Sequence, residues 1–142
     1  MKPTIHATAV AITGRAVLLI GPPESGKSDL ALRLIDRGAT LIADDRVVVT
    51  RDGDTVRAAP PAVLAGLIEI RGVGIVARPW VADVPIALVV DLVTLPPRLP
   101  EAATIDLVGV AVPCVALAAL EASSAVKVEF ALAALSPRGN RG

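Results

Sequence analysis

Short runs of β-branched and aliphatic residues, punctuated by glycine, proline and aspartate, recur along most of this chain, and helical spacing of apolar positions is rare. Thr4–Ile12 and Arg15–Ile20 read as two strands joined at Thr13-Gly14, a tight-turn dipeptide. Gly21–Ser28 interrupts the pattern as a loop rich in turn-forming residues. Beyond it Leu30, Ala31, Leu34 and Ile35 recur at helical spacing, which predicts a helix over Lys27–Arg37. Asp29 and Arg33 fall on its outer face one turn apart, and Gly38 stands where a C-terminal cap is wanted. Ala39–Ala43 is a short buried strand that runs into Asp44-Asp45. Val47–Thr50 and Thr55–Ala58 flank the turn Arg51-Asp52-Gly53-Asp54 and form a hairpin.

Pro60-Pro61 then breaks the chain ahead of a short Ala/Leu turn. Leu67–Arg71 is a strand leading into the glycine loop Gly72-Val73-Gly74. Pro85–Val93 and Thr104–Val108 are strands separated by the proline-rich link Pro96–Glu101. Val115–Leu135 is expected to be helical with an interruption near Ser123-Ser124, and the tail Ser136–Gly142 to be loose. With no internal repeat and no separating linker, residues 1–135 read as one α/β domain.

Composition narrows the possible functions. The 142 residues are one domain's worth, and 54% hydrophobic against 20% charged residues excludes a disordered chain. Trp80 and Phe130 are the only aromatic side chains, so the core must be aliphatic and no stacking platform for bases is available. Fourteen basic residues balance fourteen acidic ones, which leaves no electrostatic reason to expect nucleic acid or an anionic membrane as partner. The longest apolar stretches, Val84–Val90 and Val110–Leu120, each contain a proline and fall short of the roughly 18 residues a membrane span needs. The N-terminus lacks a signal-peptide layout. A single cysteine, Cys114, excludes a disulfide framework and a cysteine-built zinc site, and fits a cytoplasmic protein.

The chemistry starts at Gly21-Pro22-Pro23-Glu24-Ser25-Gly26-Lys27-Ser28, which satisfies the phosphate-loop pattern G-x-x-x-x-G-K-[ST] between a strand and a helix. Such a loop turns backbone N–H groups toward phosphate oxygens. Gly26 is expected to let the backbone approach the phosphates, Lys27 to supply a cation for the β- and γ-phosphates, and Ser28 to offer an oxygen to Mg²⁺. The loop alone does not choose among kinases, ATPases and GTPases.

Asp44 and Asp45 follow the next strand, at the end where α/β sheets assemble ligand sites. Adjacent carboxylates should point apart, so one could serve Mg²⁺ while the other takes a proton from an acceptor hydroxyl; the plainer alternative is a solvated turn with Asp45 paired to Arg46. His6, the only histidine, reads from its strand position as a structural residue. Glu69 stands among Leu67, Ile68 and Ile70, where an unpaired carboxylate would be costly; Arg71, a metal or a hydrogen-bonding shell would have to compensate. These residues describe an Mg²⁺-dependent phosphotransferase.

Several of these pieces, in the same order, resemble the kinase domain of the HPr(Ser) kinase/phosphorylase family, in which a serine of the phosphocarrier HPr is phosphorylated. They are His6, the loop continuing as Gly26-Lys27-Ser28-Asp29-Leu30-Ala31-Leu32, Asp36-Arg37-Gly38, Leu41-Ile42-Ala43-Asp44-Asp45 and Glu69-Ile70-Arg71-Gly72-Val73-Gly74-Ile75. The resemblance runs from His6 to about Val76 and is to the short form, without an N-terminal regulatory domain. It implies a P-loop kinase core with a mixed β-sheet and few helices. Its reaction would be an ATP- and Mg²⁺-dependent phosphorylation of HPr or a related protein, regulating carbohydrate metabolism through the phosphotransferase system.

By the same resemblance, Lys27 grips the transferred phosphoryl group, and Asp45, with Asp44 beside it, takes the seryl proton. His6 would be an active-site partner of that pair, Ser28 and Glu69 the Mg²⁺ ligands, and Arg98 the active-site arginine. A ring-like homo-oligomer is implied as well. Val110–Glu129, with Lys127 as its one cation, lacks the family's basic late loop, which argues against phosphorylase activity. A nucleotide-binding regulatory module that transfers nothing is the main alternative; a small-molecule kinase is weaker, since no separate acceptor pocket is legible.

Overall fold

The structure, a computed structural model, describes residues 3–135; the expected loose tail lies outside them. Eleven strands and two α-helices follow in order. They are β1 (Thr4–His6), β2 (Thr8–Ile12), β3 (Arg15–Ile20), α1 (Lys27–Asp36), β4 (Thr40–Ala43), β5 (Arg46–Asp52), β6 (Thr55–Ala59), β7 (Leu67–Ile70), β8 (Gly74–Ala77), β9 (Val84–Leu92), β10 (Ala103–Leu107), β11 (Val110–Leu117) and α2 (Ser124–Ala133). A single 3₁₀ turn, Ala62–Leu64, follows the proline pair. The mixed sheet and few helices agree with the α/β expectation.

The main sheet is organised on β9. One edge of β9 runs parallel to β3 through Ala16–Ile20, while the other pairs antiparallel with β6 near its start and parallel with β11 from Val89 to Leu92. From β3 the sheet continues through β2 to β4, and from β6 through β5 to β1. The parallel strands β3, β9 and β11 therefore end on the same side, where the glycine loop leaves β3. Strands β7 and β8 form a separate two-stranded sheet.

Strict alternation divides the buried side chains between two faces. Ala9, Ala11, Ala16 and Leu18 join one core with Val47, Val49 and Val89. Val10, Val17 and Leu19 point the other way, where Leu30, Ala31 and Leu34 of α1 and Val128 and Leu132 of α2 cover them. Arg33 fixes α1 further: it pairs with Asp29, as its spacing predicts, and also donates to the carbonyls of Glu121 (2.9 Å) and Ala119. At the far end of α1, Arg37 makes two hydrogen bonds to Glu129 of α2, at 3.0 and 2.8 Å, and this carboxylate raises the guanidinium pKa above its ordinary value.

Three expectations need correction. The first segment breaks at Ala7 into two strands, β1 pairing with β5 and β2 with β3 and β4. Gly74–Ala77 forms a strand that the glycine-rich pattern obscured. The third is larger. The expected helix over Val115–Leu135 is in fact the end of strand β11, a link, and the ten-residue α2. A fully apolar run fits a parallel strand covered on both faces as well as it fits a buried helix, so periodicity cannot separate them.

Cys114 lies in β11 opposite Val89 and Ala103. Burial, with a smaller contribution from the Asp91 carboxylate, raises its thiol pKa, so thiolate is scarcer than in a free cysteine. Alkylation by iodoacetamide at neutral pH should be slower in the folded chain than in the urea-unfolded one, read by mass spectrometry. Equal rates would contradict this environment.

Candidate functional site

The loop after β3 is shaped by two glycines. Gly26 caps α1 with a φ of 99°, a left-handed conformation open to glycine. A Cβ there would also lie 2.9 Å from the Ala119 Cβ, so Gly26 is needed for packing against the β11–α2 link. Sequence reasoning gave this glycine to phosphate approach alone. A Cβ on Gly21 would meet Ser25 Oγ at 2.7 Å. The first helical bond runs from Leu30 N–H to Gly26 C=O, at 2.9 Å, which places the amides of Lys27, Ser28 and Asp29 outside the helical ladder. Lys27 Nζ donates to the carbonyls of Gly21 and Pro22, both at 3.0 Å, and so lies back along its own loop.

These features fit a polyphosphate. Ser25 Oγ is buried with no hydrogen-bond partner among the described residues, and an anion in the loop would supply one. The free amides, the helix N-terminus and the lysine all favour negative charge. Glu24, with a φ of 62°, is exposed at the loop tip and stands 4.0 Å from Arg71 of the β7–β8 turn.

The acid pair divides as adjacent carboxylates should. Asp44 is buried, and each of its oxygens is used. Oδ1 accepts from Ser28 Oγ at 2.6 Å and Thr8 Oγ1 at 3.0 Å, while Oδ2 accepts from the Glu69 amide at 2.9 Å. This carboxylate thereby joins four elements: β2, the start of α1, the end of β4 and β7. Asp45 is exposed. Its φ is 73°, and the Arg46 amide donates across it to the Asp44 carbonyl at 2.8 Å, closing a γ-turn of the rare strained hand. Asp45 is not ion-paired to Arg46.

Residues 1–81 match the family model described as the HPr serine kinase C-terminal domain. The chain belongs to this family. An HPr kinase/phosphorylase from Levilactobacillus brevis is 46% identical over 76 residues, which is 53% of this chain and 24% of that protein. One from Enterococcus faecalis is 48% identical over 77 residues, 54% of this chain and 25% of the relative. The chain spans about a quarter of the length of the curated relatives it matches. A solved structure of the HPr(Ser) kinase/phosphatase from Coxiella burnetii superposes with a TM-score of 0.83 at 28% identity, over 99% of this chain and 100% of that one. The fold therefore follows the family through β9–β11 and α2, beyond the segment that carries the sequence resemblance.

His6 ends β1, is exposed and stands opposite Arg46, next to the Asp45 turn. The carboxylate of Glu69 is exposed, because β7 alternates and buries Ile68 instead; it does not carry the cost that an unpaired acid in an apolar strand would. Its amide, held by Asp44, is what ties β7 to the phosphate loop. Arg98 is exposed in the link after β9, with no hydrogen bond or ion pair to the other candidates among the described residues. Among the described residues no three His, Cys, Asp or Glu side chains converge as a metal cluster, and no helix is long and apolar enough to cross a membrane. Thr8 was missed. A threonine in an alternating strand reads as an outward residue, yet here it is fully buried beneath the acid pair.

Proposed function

We propose that this chain is an ATP- and Mg²⁺-dependent protein-serine kinase domain of the HPr kinase family, acting on HPr or a related phosphocarrier, with residues 1–135 as the working unit. The observation that carries the reading is the buried carboxylate of Asp44, which holds Ser28 at the phosphate loop while the next residue, Asp45, faces outward on a strained turn. A module that only bound nucleotide would have no use for an exposed, conformationally fixed acid beside the loop. In this reading Ser28 and Glu69 would hold Mg²⁺, which would supply neutralising charge at the phosphates.

Lys27 leaves its two loop carbonyls and pairs with the phosphates, and the amides after Gly26 hold the phosphate oxygens. Asp45 orients the acceptor seryl hydroxyl and takes its proton as the seryl oxygen bonds to the γ-phosphorus. The bond from that phosphorus to the β,γ-bridging oxygen breaks, and ADP leaves with the electron pair. His6 stands by the acid pair, and Arg98 would have to move in from its link to stabilise the transferring group.

Incubation with γ-labelled ATP, Mg²⁺ and an HPr-like protein should place label on a seryl residue of the acceptor. Lys27→Ala should lower that rate about 10²-fold, since it removes a preorganised cation from the transferring group. Tight Mg·ATP binding with no transfer to any such acceptor would instead identify a nucleotide-binding regulatory module.

A further inference from the structure

Thr8 lies at the start of β2, has no accessible surface, and is one of only three buried polar or charged residues among those described, with Asp44 and Ser124. Its hydroxyl does two things at once. It donates to Asp44 Oδ1 at 3.0 Å and accepts from the Asp45 amide at 3.3 Å. The neighbouring residue completes the grip, because the Ala7 amide donates to the Asp45 carbonyl, also at 3.3 Å. Both main-chain groups of Asp45 are thus held from the β1–β2 break.

That grip matters because the Asp45 turn is costly on its own. A non-glycine residue at positive φ brings its Cβ against the following carbonyl, and the γ-turn of this hand is rare for that reason. Such a conformation persists only where its surroundings over-determine it. An aliphatic residue of the same shape would fill the space under Asp44, but it could neither donate to the carboxylate nor accept the Asp45 amide. The break between β1 and β2 at Ala7 has the same origin: the chain leaves its pairing with β5 where it takes hold of Asp45.

We propose that Thr8 is a positioning residue for phosphoryl transfer, clamping Asp44 through its hydroxyl proton and the Asp45 turn through its lone pair. The proposal deepens the kinase reading and rests on it for its catalytic consequence. The clamp itself can be read without any activity.

Amide hydrogen exchange followed by NMR is the direct test. In the wild-type chain the Asp45 amide, although its residue is exposed, should exchange at least ~10-fold more slowly than an unstructured amide. Thr8→Val should abolish that protection, and Thr8→Ser should keep it. With an HPr-like acceptor, Thr8→Val should lower kcat ~10- to 100-fold with little change in KM for ATP, and Thr8→Ser should restore most of the rate. Unprotected Asp45 in the wild-type chain would overturn the proposal even if Thr8→Val did not fold. So would protection that survives in Thr8→Val, or a kcat that Thr8→Val leaves unchanged in an active enzyme. A wild-type chain that protects Asp45 yet transfers no phosphate would uphold the clamp and overturn its catalytic purpose, so failure of the kinase reading is told apart from failure of the clamp.

Discussion

Asp45→Asn should lower the rate of seryl phosphorylation about 10²–10⁴-fold, the range spanned by loss of a positioned general base. Asparagine is the informative substitution because it matches aspartate in shape and tolerates the left-handed backbone, so the γ-turn and its bonds to Thr8 and Ala7 should survive. Affinity for Mg·ATP, measured by calorimetry, should stay within a few-fold of wild type, since no bond of Asp45 reaches the loop. Two further variants separate backbone from side chain. Asp45→Ala should be less stable than Asp45→Gly by about 1 kcal/mol in urea melts, because alanine keeps the steric cost of a positive φ and glycine does not. Full transfer activity in Asp45→Asn would remove the base assignment; equal stability of the alanine and glycine variants would remove the strained turn.

How far the sequence reached can be judged at particular residues. The phosphate loop was legible because its glycines, lysine and serine lie within eight consecutive positions between a strand and a helix. That Asp44 and Asp45 face opposite ways was legible, since neighbouring side chains at a strand end point apart, but the γ-turn that turns Asp45 outward was not. Thr8 was not legible, since its partner Asp44 lies 36 residues away and only the pairing of β2 with β4 brings them together. Glu69 shows the opposite case: Ile68 and Glu69 already carry the in–out alternation of a half-buried strand, and reading the apolar neighbours as a buried environment overlooked it. The late helix was misplaced because β11 is sheltered by β9, β10 and α2, contacts no local pattern encodes. The likeness of sequence stops near residue 81, whereas the likeness of structure covers the chain, so the second half keeps the fold through generic aliphatic packing.

Asp44→Ala should be the most damaging single change, because it acts on stability and on the site together. It strands the Thr8 hydroxyl and the Glu69 amide, and it frees Ser28 from its 2.6 Å bond. Buried groups left without partners cost about 1–3 kcal/mol each; with Thr8 at the upper end and the part-buried Glu69 amide at the lower, a total of about 4 kcal/mol is expected in urea denaturation. Transfer should fall roughly 10³-fold, since Ser28 loses its orientation and the Thr8 hydroxyl, freed from Asp44, no longer holds a fixed lone pair toward the Asp45 amide, each worth about 10–10². Asp44→Asn gives only partial relief. If the amide oxygen takes Thr8 and Ser28, its NH₂ group faces the Glu69 N–H, donor against donor; if the amide is flipped, the NH₂ group faces both hydroxyls. The hydroxyls can then turn to accept, but their protons lose the carboxylate that received them, and Ser28 gives up the orientation that left both its lone pairs free. Asparagine should therefore recover part of the stability and little of the rate. A loss below 1 kcal/mol in Asp44→Ala, or a fully active Asp44→Asn, would show that the buried carboxylate is not the hub joining the loop, the strained turn and β7.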